Sequence, residues 1–185
     1  MLRLFVALEI PERWRSMLAG LQAGVPGARW IAPENFHVTL RFIGEVDEGH
    51  AADIDSLLQG IRAPAFELAL DGVGHFGDGR KLNALWAGVA PNPALLHLHD
   101  KIESAVTRAG CEPEGRKFKP HITLARFGAR EQGGHHLAQF MASNALLRTE
   151  PVPIEQFSLF SSLMRREGSI YTVEADYPLS LIPQA

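Results

Sequence analysis

Two rhythms of apolar residues alternate along this chain. LRLFVALE, from Leu2 to Glu9, is an apolar run of strand length; Pro11 then opens ERWRSMLAGLQ, in which Trp14, Leu18 and Leu21 recur at helical spacing. FHVTLRFIG reads as a strand ending at Gly44, and Asp47 stands where it would cap a helix through Leu57 and Leu58. FELALDGVGHF predicts a further strand running into a glycine-rich turn that carries His75.

From Leu82 the order restarts. LNALWAGVA predicts a strand, NPALLHLHDKIESAVTRAG a helix ended by Gly110, and HITLARF a strand ended by Gly128. A helix near His136 to Asn144 then precedes the strand VPIEQFSLFSS. SLFSSLMRREGSIYTV predicts a hairpin turning at RREGS, and its second arm, near 170–180, has no counterpart in the first half. HVTLRFIG and HITLARFG share His, Thr, Leu and Gly at the same places, so residues 2–76 and 82–163 read as diverged copies of one strand–helix–strand–helix–strand unit. The expected architecture is α+β: a single bilobal domain over residues 1–185, each lobe an antiparallel sheet with helices packed outside. An approximate two-fold axis would bring equivalent strands to face each other across a groove, a favoured place for a ligand.

The repeated stretch also carries the polar chemistry. Side chains alternate along a strand, so His37, Thr39 and Arg41 are expected on one face, with Phe36, Val38, Leu40 and Phe42 on the other. His121 and Thr123 share a face in the second copy, while strict alternation puts Arg126 on the core side unless the strand bends, bulges or ends before it. One His-x-Thr pair on a strand is commonly just a solvent face; two copies point to a site. Imidazole is available in both protonation states near neutrality, so two of them facing one phosphorus supply a general base and a general acid. Each threonine adds a hydroxyl donor suited to a phosphate oxygen.

Composition narrows this further. The formal charge of −3 argues against a bulk nucleic-acid coat, so an anionic ligand has to be met by local cations. GRKFKPH supplies Arg116, Lys117 and Lys119 just before His121. Phe5, Trp30 and Tyr171 are aromatic candidates for a base contact, Phe5 being also a natural core residue. Cys111 is the only cysteine, which excludes an internal disulfide and a cysteine metal site and fits a reducing, cytoplasmic compartment. His97 with His99, and His135 with His136, lack the spacing to share a helical face, so no metal is expected. No apolar run approaches membrane-spanning length, and LRLFVALEI lacks a cleavage site, so a soluble protein without a signal peptide is expected.

RLFVALEIP, WIAPENFHVTLRFIGEV, FKPHITLARF and the late FSLFSSL…G…Y, in that order, make the chain resemble the two-histidine (2H) phosphoesterases. Within them it is similar to the RNA 2′,3′-cyclic phosphodiesterases, historically called 2′-5′ RNA ligases (the LigT/ThpR group). The resemblance implies hydrolysis of a terminal 2′,3′-cyclic phosphate to a 2′-phosphomonoester without metal; no cofactor is expected, and a monomer is expected. It makes His37 the proton donor to the departing 3′ oxygen and His121 the proton acceptor. Thr39, Thr123 and Arg126 would hold phosphate oxygens, with Phe5, Trp30, Arg116, Lys119 and Tyr171 as further candidate contacts. The implied partners are RNA 3′ ends carrying the cyclic phosphate, or cyclic nucleotides, with no membrane partner; weak reversible 2′-5′ ligation is implied as well. A phosphodiesterase for another small cyclic phosphate, and an RNA-end binding module without turnover, stand as alternatives.

Overall fold

The computed structural model describes residues 1–78, 81–129 and 133–181. Its strands are β1 (Leu2–Leu8), β2 (Arg29–Trp30), β3 (Val38–Val46), β4 (Phe66–Leu68), β5 (Leu70–Asp78), β6 (Lys81–Val89), β7 (His121–Arg126), β8 (Val152–Ile154), β9 (Gln156–Arg165) and β10 (Gly168–Pro178). The helices are α1 (Glu12–Ala19), α2 (Glu48–Gln59), α3 (Pro93–Arg108) and α4 (Gly134–Asn144).

Local chemistry sets the helix starts. Asp47 accepts the backbone N–H of His50 at 2.8 Å to open α2, and Asn92 accepts that of Leu95 at 3.1 Å to open α3, with Pro93 in its first turn. Pro11 sits one place earlier than its sequence position suggests, at the cap of α1 itself, without a capping hydrogen bond from a side chain.

An antiparallel sheet runs β10-β9-β1-β3-β7-β6-β5, with β2 added beside β7. The triplets β9-β1-β3 and β5-β6-β7 therefore mirror each other about its middle, where β3 and β7 meet in one pair, Val38 with Ile122. Leu4, Val6 and Leu8 of β1 face the main core with α1, α2 and α3, represented by Leu18, Leu58 and Ile102. Phe5 and Ala7, one step out of phase, form with Phe160 a small second cluster on the other face. Each fully buried side chain of this size stabilises the fold by about 1.5–3 kcal/mol, so both faces of β1 are held.

Several sequence expectations change. FELALDGVGHF is not one strand: Ala69 separates β4 from β5, and β4 leaves the main sheet to pair with β8. VPIEQFSLFSS breaks likewise between β8 and β9. His75 lies in β5 opposite Leu85, not in a turn. Its neighbour Gly74 has a steric reason, since a Cβ there would lie 2.2 Å from the Trp86 ring. The hairpin turn is tighter than RREGS suggests, with Arg166 and Glu167 alone between β9 and β10. Among the described residues, no helix is long and apolar enough to cross a membrane.

A candidate active site in the groove

His37 precedes β3 and follows, after Phe36, a 3-10 turn over Pro33–Asn35. That turn is pinned from two sides. Arg15 donates to the carbonyls of Pro33 and Phe36 at 2.8 and 3.0 Å, and the Asn35 side chain donates to the Ser169 carbonyl at 2.8 Å. The Asn35 carbonyl accepts from Nδ1 of His37 at 2.7 Å, and in the second half the Lys119 carbonyl accepts from Nδ1 of His121 at 2.6 Å. A carbonyl only accepts, so both rings carry the proton on Nδ1 and, when neutral, keep the Nε2 lone pair free. Both halves thus select the same tautomer through the carbonyl two residues earlier.

The register supplies the rest of the geometry. Because Val38 pairs with Ile122, His37 comes opposite Thr123 and Thr39 opposite His121, all four on the groove face. Only that one pair is bonded, so the strands splay and leave a groove of about 520 Å³ between the halves. Its size suits a small ligand. Neither threonine hydroxyl bonds to a protein group among the described residues, which leaves both available as donors.

Two bulges then re-aim the side chains beyond the threonines. Trp86 pairs with Thr123 but Leu85 with Ala125, so β7 carries an extra residue there; Leu124 and Ala125 are both buried. Arg126 is turned onto the histidine side, where it lines the groove. This resolves the conflict that strict alternation posed for Arg126. β3 does the same: Ala7 pairs with Thr39 and Val6 with Arg41. Here the bulge overturns an expectation. Arg41 pairs with the core residue Val6 and is buried at 7% exposure, so it only borders the groove, while Phe42, 52% exposed, projects on the face of His37 and Thr39.

Aromatic rings pack each imidazole. Phe5 lies 4.9 Å from the His37 ring and Tyr171 meets it edge-on at 5.3 Å, while Phe76 and Trp86 lie 4.9 and 5.9 Å from His121. Burial is the main reason that the His37 pKa is pushed down to about 4, with Arg126, Arg15 and His121 adding repulsion against the hydrogen bond to Asn35. His121 is also lowered by burial, then by Arg126 and Lys119. Both imidazoles are neutral at pH 7 in the free protein.

The remaining candidates separate. Arg116, Lys117, Lys119 and Tyr171 line the groove, and the Lys119 ammonium lies 4.8 Å over the Trp86 ring. Phe5 does not reach the groove; at 3% exposure it packs under His37, because β1 is covered on both faces. Trp30 also lies off the groove, in β2 beside β7, with Phe140 at 6.3 Å. Phe42 and Trp86 escaped the sequence reading because each sits in a stretch that reads simply as strand core, and Phe76 because its stretch reads as a glycine-rich turn. Among the described residues no group of three or more His, Cys, Asp or Glu is arranged to hold a metal ion.

Mixed α+β lobes around a groove with paired His-x-Thr motifs define the class of two-histidine phosphoesterases. The family model of the 2′-5′ RNA ligase superfamily matches residues 9–163, and the chain belongs to that family. It is 37% identical over 150 residues to an RNA 2′,3′-cyclic phosphodiesterase of Aeropyrum pernix, covering 80% of this chain and 84% of that protein. It is 35% identical over 132 residues to the protein of that name from Escherichia coli, covering 67% and 71%. The E. coli LigT crystal structure with 3′-AMP superposes with a TM-score of 0.78 at 29% identity, covering 97% of this chain and 98% of that one.

Proposed function

We propose that the protein hydrolyses RNA or nucleoside 2′,3′-cyclic phosphates to 2′-phosphomonoesters, with the two groove imidazoles as proton-transfer groups and no metal ion. The observation that carries this reading is the four-cornered arrangement of His37, Thr123, Thr39 and His121 about the Val38–Ile122 pair. A phosphodiester seated there meets one Nε2 on each side, a hydroxyl donor beside each ring, and the Arg126 guanidinium.

In this reading His121 Nε2 takes a proton from a water molecule as its oxygen attacks phosphorus. The bond from phosphorus to the 3′ oxygen breaks, and a proton from His37 Nε2 passes to that oxygen, leaving a 3′-hydroxyl and a 2′-phosphate. His37 must be charged to donate, yet burial keeps it neutral in the free protein. The arriving phosphate anion favours its imidazolium form and offsets that burial. The same two proton transfers, with a ribose 5′-hydroxyl replacing water, would give a weak 2′-5′ ligation. The stronger depression at His37 favours one rival, in which the two imidazoles exchange roles.

A substrate with sulfur in place of the bridging 3′ oxygen separates the two assignments, because a thiolate leaves without a proton. His37→Ala is expected to lose far less activity on the sulfur substrate than on the oxygen one, while His121→Ala loses equally on both. The opposite pattern reverses the roles. Phosphorus NMR of the product should show the 2′ ester, and turnover should persist in EDTA; loss in EDTA refutes the metal-free reading. If both histidine variants keep binding a cyclic-ended RNA, and the unaltered protein never turns it over, the RNA-end binding module is the correct description.

A further inference from the structure

The guanidinium of Arg41 is a buried charge that the proposed chemistry does not use. Its Nε donates to Glu103 of α3 at 2.5 Å, and its other nitrogens donate to the carbonyls of Phe42 and Glu112. Glu103 in turn accepts the backbone N–H of Glu114 at 2.9 Å with its second oxygen. Burial pushes Glu103 up, but the Glu114 amide and Arg41 outweigh it and hold the carboxyl below its ordinary value. The pair therefore joins β3 to α3 and to the segment 111–120 that follows α3.

That segment has no regular secondary structure and so no ladder of its own to hold it. Arg41 and Glu103 fasten it at Glu112 and Glu114, and His99 stacks on Phe118 at 3.9 Å with the rings 7° apart. Between and beyond these pins, Arg116, Lys117 and Lys119 line the groove. Arg116 is partly engaged by Glu114 at 3.1 Å, whereas Lys117 has no acidic partner among the described residues.

The second half shows that Arg41 is not needed to build the strand. The equivalent bulge in β7 places Ala125 where β3 has Arg41, and forms without any charge. A buried charge kept in one half alone therefore has a task outside the shared framework.

We propose that the Arg41–Glu103 pair is a positioning device that holds segment 111–120 as a cationic rim, and that this rim binds backbone phosphodiesters of an RNA chain leading to the reacting end. The protein would then favour cyclic-ended RNA over a free cyclic nucleotide. Although Arg41 borders the groove, its guanidinium is taken up by Glu103, Glu112 and Phe42, so it acts through the segment. The inference rests on the proposed cyclic phosphodiesterase activity and adds which substrate the groove prefers.

The test compares uridine 2′,3′-cyclic phosphate with a short oligoribonucleotide ending in the same group. Arg41→Met is expected to raise KM for the oligonucleotide about tenfold, equivalent to one lost phosphate contact, and to leave kcat and KM for the mononucleotide within about twofold. Its oligonucleotide KM should also depend less steeply on salt. Lys117→Ala should weaken the oligonucleotide in the unaltered protein but add little on top of Arg41→Met, since the two act through one segment. Glu103→Gln keeps an acceptor for the Glu114 amide and serves as the second variant should Arg41→Met melt below the assay temperature. Equal KM increases for both substrates, or full additivity with Lys117→Ala, overturn the inference. Absence of turnover on either substrate by the unaltered protein overturns the proposed activity instead.

Discussion

The two walls of the groove are built alike up to the threonine and differ immediately beyond it. In both, the carbonyl two residues before the histidine selects its tautomer, the threonine follows on the same face, and a bulge turns the strand. After the bulge, however, the first wall presents Phe42 and the second presents Arg126. Phe42 and Tyr171 line the groove with the first wall and Arg126, Lys119 and Phe76 with the second, while segment 111–120, pinned to β3 by Arg41, adds Arg116 and Lys117. A two-fold framework supplies paired imidazoles, and breaking the symmetry one position later supplies direction. A polar substrate with an anionic and an aromatic part has one favourable orientation in such a groove.

The strongest way to break the comparison is to remove its shared part. His37→Ala and His121→Ala are each expected to reduce kcat by about 10²–10⁴-fold with the circular dichroism spectrum retained. Next comes the asymmetric position. Arg126→Ala should lower kcat/KM by roughly 10²-fold, the scale of one preorganised donor to a developing oxyanion. Phe42→Arg, which makes the walls alike, should fail to rescue it, and recovery of activity in that double variant would show that the side bearing the arginine is immaterial. Thr39→Val and Thr123→Val should each cost about tenfold, the value of one hydrogen bond to a charged oxygen, and by similar amounts if the corners are equivalent.

Proton linkage gives two smaller effects. In the proposed mechanism the working state holds one proton between two imidazoles. In the free protein His37 takes up its proton only at about 4, and His121 only below its ordinary 6.5. The profile of kcat/KM against pH should therefore peak on the acid side of 6.5; an optimum above neutrality contradicts it. The unfolded chain takes up a proton at position 37 near 6.5, whereas the folded protein resists until about 4. Folding stability contributed this way is complete above 6.5 and declines as pH falls toward about 4. His37→Gln should flatten that part of the melting-temperature profile, with the change confined to the acid side.

Much of this was legible in the residue pattern, and for definite reasons. Asp47 as a cap, the helix closing before Gly110, and the strands around both histidines follow from short-range rules that neighbouring residues satisfy by themselves. The HVTL and HITL copies named four corners of the site because strand alternation places His and Thr together whatever the rest of the fold does. Alternation failed one step further on. It put Arg41 on the face of His37 and Thr39 and left Arg126 in conflict, since a bulge depends on how the neighbouring strand is registered. Phe5 likewise reads as accessible or buried according to whether β9 and β10 cover it.

The sequence by itself thus determined which residues are candidates for proton-transfer and phosphate-binding chemistry, along with the α+β class. Tertiary structure alone decided that Val38 meets Ile122, that Arg126 and Phe42 face the groove, and that Arg41 is spent inside it on Glu103 and Glu112. The physical reason is range. Caps and strand alternation are settled by residues a few places apart, whereas register, bulges and burial are settled by strands brought together from opposite halves of the chain.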